Sequence, residues 1–181
     1  NWVIDSIANV DEKNCWLSFT GRADTPLERH LYRVPMSGKS PQQVQRISQR
    51  NGFHGIRFSQ KSDTYIDSFS NTHTPTQVSL HAANGEHIMW LAENAVTAEH
   101  PVAPFFNDLV SPEFGSLTAD DGKTDLFYKL YKPKNMQPGK KYPVIVSVYG
   151  GPHAQRVTNS WQGADMTQYM LQQGYIVYQL D

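Results

Sequence analysis

The fold is decided by residues 140–152, which read KKYPVIVSVYGGP. The run Val144–Val148 is almost entirely apolar and β-branched, which is typical of a parallel strand covered on both faces of its sheet. The Gly-Gly-Pro sequence at 150–152 ends that strand, because glycine permits positive φ angles and proline has no N–H for a ladder. Tyr149 therefore stands at the carboxyl end of a buried strand, where open α/β sheets bind their ligands.

The residues after this strand predict a βαβ unit. Asp165 is suited to cap a helix whose apolar residues recur at helical spacing, and Gly174 follows where a helix C-terminal glycine is expected. Residues 175–180 then read as a second strand, parallel to the first. Two strands cannot bury both faces of a parallel sheet, so we expect this domain to continue beyond Asp181.

Composition and charge describe an ordinary globular chain of 181 residues with a net charge of −1. The basic residues are scattered, so the sequence has no electrostatic footprint for nucleic acid or for an anionic membrane. No apolar run approaches the ~20 residues of a membrane-spanning helix. Cys15 is the single cysteine, which excludes an internal disulfide and a cysteine metal site. Its place beside Trp16 in a strand pattern predicts that it packs against neighbours.

Residues 1–92 contain a weak repeat with a period of about fifty residues. Each copy holds four short strand patterns separated by polar or glycine-containing turns. The patterns fall at residues 2–7, 15–20, 30–34 and 44–47, and again at 54–58, 65–69, 77–80 and 87–91. Four strands per copy are typical of β-propeller blades, and since roughly three blades are needed for a stable array, we expect earlier blades before Asn1. A free-standing sandwich of eight strands is the alternative.

Two segments connect this repeat to the central strand. Residues 93–108 break the strand rhythm, and their prolines limit any helix to a short turn, for which residues 92–96 are the candidate. Alternating patterns at 113–118 and 126–131 then flank an Asp-Gly pair, which is a strong hairpin signal. Asp120 and Asp121 are interpreted as turn residues and not as a catalytic pair, because adjacent side chains there point in different directions.

Tyr149 is the one catalytic candidate that the sequence offers. In α/β-hydrolases the loop after the third strand supplies a donor to the oxyanion hole, and a tyrosine O–H can be that donor. The alternative is a half-buried tyrosine that only closes the sheet edge. No Gly-x-Ser-x-Gly, His-Glu-x-x-His or Gly-x-Gly-x-x-Gly motif occurs.

The seven histidines give no catalytic pattern of their own. Six fall in or beside strands and loops, where surface or strand-pairing roles are expected: His30, His54, His73, His81, His87 and His100. His153 is nearer the expected pocket, but it has no serine to activate.

The sequence around Tyr149 resembles the start of the hydrolase domain in the dipeptidyl peptidase IV group of the prolyl oligopeptidase superfamily. The resemblance rests on residues 140–155, and above all on tyrosine before Gly-Gly-Pro. Residues 113–122 are similar to that domain's opening hairpin, and residues 1–92 resemble the last blades of the family's eight-bladed propeller. The resemblance implies a mixed fold, with part of an antiparallel β-propeller and a linker at residues 1–108 and the first strands and helix of an α/β-hydrolase sheet at 109–181.

The same resemblance implies a serine exopeptidase that releases dipeptides from peptides with a free N-terminus, usually after proline or alanine in the second position. It implies that Tyr149 is the oxyanion-hole donor. It also implies that the catalytic Ser, Asp and His lie beyond Asp181, and that the glutamates binding the substrate's amino group lie before Asn1, so this chain alone should be inactive. No cofactor or metal is expected. The full-length protein is expected to form a homodimer, and a periplasmic or secreted location is favoured.

Two alternatives stay open. One is a peptide- or protein-binding propeller attached to a degenerate hydrolase domain, and the other is a relative of the acylaminoacyl peptidases or prolyl endopeptidases. A Gly-x-Ser-x-Gly motif with later Asp and His residues would favour an enzyme. A pair of glutamates upstream would favour the exopeptidase over the endopeptidase.

Overall fold

The computed structural model describes residues 2–36, 43–151 and 154–181. The chain forms two compact units. Unit 1 contains the residues up to Val96 together with Asn159–Trp161, and unit 2 contains Thr97–Thr158 and Gln162–Asp181. The domain boundary inferred from the sequence, after Asp108, stays a prediction.

Unit 1 contains two four-stranded antiparallel sheets, each with its strands in sequence order. The first is formed by β1 (Ile4–Asp11), β2 (Trp16–Gly21), β3 (His30–Pro35) and β4 (Gln45–Arg46). The second is formed by β5 (Phe53–Phe58), β6 (Thr64–Asn71), β7 (Thr74–Ala82) and β8 (His87–Ala92). Every strand pattern found in the repeat corresponds to one of these strands. Two successive sheets of four sequential strands are the arrangement of propeller blades, as predicted.

The two sheets share a core that follows from the alternation of side chains along each strand. In β6 the side chains of Tyr65, Asp67 and Phe69 are buried and their neighbours are less so, which is the period of two expected when one face is covered. Leu31, Ile47 and Tyr65 form a buried apolar cluster. Three partly buried side chains from both sheets pack against it: Ala8, Ile56 and Phe58.

The segment Asn159–Trp161 is a part of unit 1 that lies far along the chain from the strands it contacts. The backbone N–H of Asn159 donates to the carbonyl of Leu27 at 2.7 Å. Its side-chain amide donates to Glu28 Oε1 at 2.9 Å, and its Oδ1 accepts from the N–H of Thr72 at 3.1 Å. Asn159 is therefore hydrogen-bonded through both its backbone and its side chain.

Unit 2 contains a mixed four-stranded sheet with the order β11-β12-β10-β9 and two helices. Its elements are α1 (Ala103–Phe106), β9 (Glu113–Thr118), β10 (Asp125–Tyr131), β11 (Val144–Val148), α2 (Met166–Gln172) and β12 (Ile176–Leu180). β11 and β12 are parallel, and α2 connects them, as the βαβ pattern predicted. β12 also pairs with β10 in the antiparallel sense, and β10 pairs with β9.

Local signals in unit 2 act as the sequence predicted. Asp165 caps α2 by accepting from the N–H groups of Thr167 and Gln168, and Gly174 adopts a φ of +84° after the helix. In the β9–β10 turn, Asp121 Oδ1 accepts from the N–H groups of Lys123 and Thr124. Its hydrogen bonds with Thr124 hold the pKa of Asp121 below its usual value.

Three expectations about local environment are wrong. Cys15 is exposed and has a φ of 56°, because it lies in the turn before β2 and not in a strand. Residues 92–96 form no helical turn, and Asn94 adopts a φ of 47°. β11 is not covered on both faces: it is the outer strand of its sheet, and Val144, Val146 and Val148 are more than half exposed.

Lys129 is a charged side chain buried in the interior of unit 2. This β10 side chain is fully buried, and among the residues described its Nζ has no hydrogen-bond partner. Its Nζ lies 5.9 Å from the centroid of the Phe114 ring. Burial lowers the pKa of Lys129 to about 8, although the negative charges of Asp181 and Asp165 oppose that change. A lysine in this position destabilises the fold whenever it carries its charge.

We expect the substitution Lys129→Met to stabilise the chain at pH 7 by about 3 kcal/mol, since each pKa unit corresponds to about 1.4 kcal/mol. The folded pKa lies below the unfolded one, so the unfolded state binds more protons between about pH 8 and pH 10.5. Wild-type stability therefore rises over that range, and the advantage of the Met variant shrinks. Urea denaturation at several pH values measures both effects.

Lys123→Met is the matched control, because Lys123 lies exposed in the β9–β10 turn. Its free energy of unfolding should differ little from wild type at every pH. An unchanged stability of the Lys129→Met variant at pH 7 would mean that the buried ammonium is compensated.

Candidate functional site

Tyr149 follows β11 directly, at the carboxyl end of the parallel strand pair. Its side chain is 51% exposed, and Gly150 turns the chain with a φ of +65°. A Cβ at Gly151 would lie 3.1 Å from the Tyr149 ring, so a residue with a side chain would press on that ring. Pro152 and His153, which complete the motif, lie outside the described residues. The Tyr149 hydroxyl group is thus on an accessible ring beside a tight turn.

The parallel register brings a second polar residue to the same edge of the sheet. Val148 pairs with Leu180, so the residues that follow these two, Tyr149 and Asp181, leave neighbouring strands at the same end. The Asp181 backbone N–H donates to the carbonyl of Phe127 at 3.1 Å. This places the Asp181 carboxylate at the edge from which the loop after Tyr149 departs.

Asp181 fixes that loop at its far end. One carboxylate oxygen, Oδ2, accepts from the backbone N–H groups of Arg156 and Val157, each at 2.6 Å. The Arg156 guanidinium donates to Ser147 Oγ on β11 at 3.1 Å, and the Val157 side chain is fully buried. Arg156 and Val157 are therefore hydrogen-bonded to residues at the ends of both parallel strands.

The chemistry available at this edge is that of a hydrogen-bond donor and not of a nucleophile. A phenolic O–H can donate to a developing oxyanion. Within residues 154–181 and 140–151, the serines are Ser147 in β11 and Ser160 in the segment assigned to unit 1. Neither lies on a strand-to-helix elbow of the Gly-x-Ser-x-Gly type.

Two of the histidines, His30 and His54, lie in paired strands as expected, and both side chains are buried in unit 1. His30 lies between Ser48 and Glu28, with Nδ1 3.0 Å from Ser48 Oγ and Nε2 3.0 Å from Glu28 Oε2. Burial lowers the pKa of His30. The Ser48 hydroxyl oxygen also accepts from the N–H of Leu31 at 3.0 Å. This serine, histidine and glutamate group is thus a buried structural network around β3.

His54 forms the second buried pair. Its Nδ1 is 2.7 Å from Asp67 Oδ2, and its Nε2 is 2.8 Å from the carbonyl oxygen of Arg50. Each ring nitrogen thus lies within hydrogen-bond distance of an oxygen atom, one from a carboxylate and one from the backbone. The His30 and His54 rings are 5.3 Å apart between centroids. These networks hold the start of β3 and the start of β5 together.

Sequence reasoning located Tyr149 but missed Asp181, Lys129 and the partners of His30 and His54. Asp181 carried the same signal as Tyr149, since both directly follow parallel strands. The partners of the histidines come from residues distant in sequence or from loops, for which no short motif exists. His153 lies outside the described residues.

The described parts of the chain contain neither a group of metal-binding side chains nor a membrane-spanning helix. No cluster of three or more His, Cys, Asp or Glu side chains there could hold a metal ion. Neither of the two helices described is long and apolar enough to cross a membrane.

Comparison with known proteins agrees with the geometry of both units. Residues 1–76 match the family profile named Dipeptidyl peptidase IV (DPP IV) N-terminal region. Dipeptidyl peptidase 8 from Homo sapiens is 35% identical over 95% of this chain and 19% of its own length. A protein from Arthroderma otae named as a dipeptidyl-aminopeptidase B is 26% identical over 100% of this chain and 19% of its own length. The chain thus spans about a fifth of these relatives.

Solved structures give the same result for the fold. Dipeptidyl peptidase 4 from Porphyromonas gingivalis superimposes with a TM-score of 0.85 at 23% identity, over 100% of this chain and 24% of that one. A Bacteroides ovatus protein described as a dipeptidyl aminopeptidase IV gives a TM-score of 0.82 at 32% identity, over 100% of this chain and 25% of that one. These likenesses confirm the mixed fold of propeller blades and hydrolase elements. The chain is thus similar over its whole length to members of the dipeptidyl peptidase IV group.

Proposed function

We propose that the full-length protein is a serine exopeptidase that releases dipeptides from the N-terminus of peptides, after proline or alanine in the second position. Tyr149 supplies one donor to its oxyanion hole. The observation that supports this role is the position of Tyr149, half exposed at the carboxyl end of β11 and beside Gly150 with its positive φ. The names of the relatives support the class of reaction.

The proposed role follows from the chemistry of acyl transfer. Attack on a peptide carbonyl places negative charge on its oxygen, and a donor held at that position lowers the barrier more than one that must be ordered during the reaction. A tyrosine side chain has few rotatable bonds, so holding its O–H in place costs little conformational entropy.

Arg156 and Val157, which follow Tyr149 in the chain, contribute to the proposed site through their bonds to Asp181. Asp181 Oδ2 accepts two N–H groups of this loop, and a carboxylate acceptor makes each of these bonds stronger than a neutral pair. A displacement of about 1 Å in a catalytic group can lower the rate by about a hundredfold. Asp181 is thus proposed as a positioning residue for the oxyanion donor.

The triad itself is assigned to the remaining length of the protein. The 181 residues contain no Gly-x-Ser-x-Gly elbow, and they should show no peptidase activity by themselves. Peptides with a free N-terminus are the proposed substrates, and homodimerisation of the full-length protein belongs to the same proposal.

In the full-length enzyme, Tyr149→Phe should lower kcat by ~10²–10³ on Gly-Pro and Ala-Pro chromogenic substrates, because one oxyanion donor is lost. KM should change little, since the donor acts on charge that develops after binding. Steady-state kinetics measures both constants. Tyr169→Phe is the control, because Tyr169 is a similarly exposed tyrosine on α2. An unaltered kcat in the Tyr149→Phe enzyme would remove the proposed role.

Asp181→Ala should free the loop after Tyr149 and lower kcat by about tenfold or more through misplacement of the donor. Amide hydrogen exchange at Arg156 and Val157 should become faster, because their acceptor is gone. Asp181→Asn keeps an acceptor oxygen and should restore much of both properties. Slow exchange at these amides in the Ala variant would contradict the loop-anchoring role.

A further inference from the structure

An open pocket of about 520 Å³ in unit 1 is lined by residues of β1, β2, β5 and β6 and by Arg29, which precedes β3. It is separate from Tyr149, which belongs to unit 2. Its polar side chains are two arginines and three hydroxyl-bearing residues: Arg29, Arg57, Ser6, Thr20 and Ser68. None of the described residues that line it is an aspartate or a glutamate. The pocket therefore offers cations and hydrogen-bond donors without a carboxylate among them.

The strand register brings the two arginines together. Gly55 and Arg57 are two residues apart in β5, so their side-chain positions share one face of the sheet. Gly55 pairs with Ser68 of β6. A Cβ at Gly55 would lie 3.7 Å from the Arg29 nitrogen Nη2 and 3.5 Å from the Ser68 Cβ. The Arg29 guanidinium thus lies beside Gly55, one side-chain position from Arg57, which is about 7 Å along a strand.

Arg29 is held in place through one part of its guanidinium only. Its Nε donates to the carbonyl oxygen of His54 at 2.8 Å, and its guanidinium carbon lies 4.2 Å from the centroid of the Phe53 ring. Neither terminal nitrogen, Nη1 or Nη2, has a recorded hydrogen bond with a residue that the structure describes. Burial lowers the pKa of Arg29, but a guanidinium keeps its charge in proteins. This orientation leaves two charged donors free to bind an acceptor.

Arg57 is exposed, and no hydrogen bond or ion pair joins it to any residue in the described ranges. Its five N–H groups are therefore available. Two guanidinium groups beside one pocket repel each other, and an anion between them would be attracted by both. The pair is thus suited to an anion that both side chains can contact.

The carboxylates that act on Arg29 already have partners. The charges of Asp5 and Asp67 oppose the decrease of the Arg29 pKa. Asp5 accepts from Arg22 Nε at 3.2 Å, and Asp67 Oδ2 lies 2.7 Å from His54 Nδ1. Neither carboxylate has a recorded hydrogen bond to Arg29. The two arginines of the pocket therefore need an anion from outside the described chain.

Hydroxyl groups add donors that carry no charge. Ser6 Oγ and Thr20 Oγ1 are 2.9 Å apart, so one hydroxyl hydrogen is used within this pair and the other can be donated elsewhere. The Ser68 hydroxyl has no recorded hydrogen bond with a described residue. An anion bound by the arginines would find these donors on the same pocket wall.

The number and direction of the donors indicate which anion fits. A carboxylate carries one charge and presents two oxygens in one plane, which a single guanidinium can satisfy. A phosphate monoester carries up to about two charges and presents three acceptor oxygens in a tetrahedral arrangement. Two guanidinium groups from different segments, with hydroxyl donors beside them, match the phosphate. The volume is within the range of small-molecule sites, and Ile66 adds an apolar wall.

We propose that this pocket binds the phosphate group of a small phosphate monoester. Arg29 and Arg57 bind the phosphate oxygens, and hydroxyl groups of Ser68 and of the Ser6–Thr20 pair donate to them. The organic part of the ligand occupies the remaining volume against Ile66. The site does not depend on the chemistry at Tyr149, so it is tested by binding and not by peptidase activity.

Isothermal titration calorimetry of the full-length protein tests the choice of anion. The probes are glycerol 2-phosphate, inorganic phosphate and acetate, at low ionic strength and about pH 8, where a phosphate monoester carries close to two charges. Both phosphates should bind at least tenfold more tightly than acetate, and the ester at least as tightly as inorganic phosphate. Binding of acetate as tight as that of the ester, weaker binding of the ester than of inorganic phosphate, or no binding of the ester up to about 10 mM would overturn the proposal.

Arg57→Gln should weaken binding of glycerol 2-phosphate at least tenfold, because it removes one of the two cations. The fold should tolerate this change, since Arg57 is exposed and lacks a recorded partner in the described ranges. Lys61→Gln is the matched control: it removes the same charge from the exposed β5–β6 turn of the same sheet, and its affinity should equal that of wild type. Equal affinities of the Arg57→Gln and wild-type proteins, or an equal loss in both variants, would exclude this pocket.

Two further variants keep the net charge and test the geometry of the donors. Arg29→Lys replaces a planar fork with a point charge and should weaken binding of the ester by about fivefold or more. Ser68→Ala removes one hydroxyl donor and should weaken it by about threefold or more. If both variants bind the ester as wild type does, only general attraction between charges remains, and the assignment of the site is wrong.

Discussion

The parallel pairing of β11 with β12 is the constraint on which the candidate site depends. Five consecutive residue pairs fix the register, and a shift by one residue would turn every side chain to the opposite face. Because the register brings Val148 beside Leu180, Tyr149 and Asp181 leave the sheet together. The carboxylate then bonds the loop that the tyrosine begins. Strand pairing alone thus brings these two polar residues to one edge of the sheet.

Unit 1 stabilises its interior with polar pairs as well as apolar packing. His30 with Glu28, and His54 with Asp67, are buried contacts that join residues from strands and loops. Such pairs contribute little net stability compared with apolar substitutes, but breaking one leaves an uncompensated group in the interior. Their value here is geometric, since each ring accepts only partners in two defined directions. Unit 2 has the opposite arrangement at Lys129, whose ammonium lacks such a partner among the described residues.

Much of the fold could be predicted because its signals are local. Alternating side chains identified the strands, the Asp-Gly pair identified the β9–β10 hairpin, and Asp165 with Gly174 identified the ends of α2. Environment was harder, because it depends on neighbours distant in sequence. The pattern around Cys15 predicted a strand, but this residue lies in the β1–β2 turn. The apolar sequence of β11 predicted a fully covered strand, but β11 is the outer strand of its sheet. Tyr149 could be found because a strand end is a local feature, whereas the histidine partners could not.

The hydrogen bonds of Asn159 have a consequence for the order in which the protein is made. The strands β1 to β8 leave the ribosome well before Asn159, yet Leu27, Glu28 and Thr72 complete their hydrogen bonds only with that residue. During synthesis these groups stay bonded to water until the segment that follows β11 has emerged. Completion of the blades in a nascent chain therefore waits for a part of the sequence that lies beyond Tyr149.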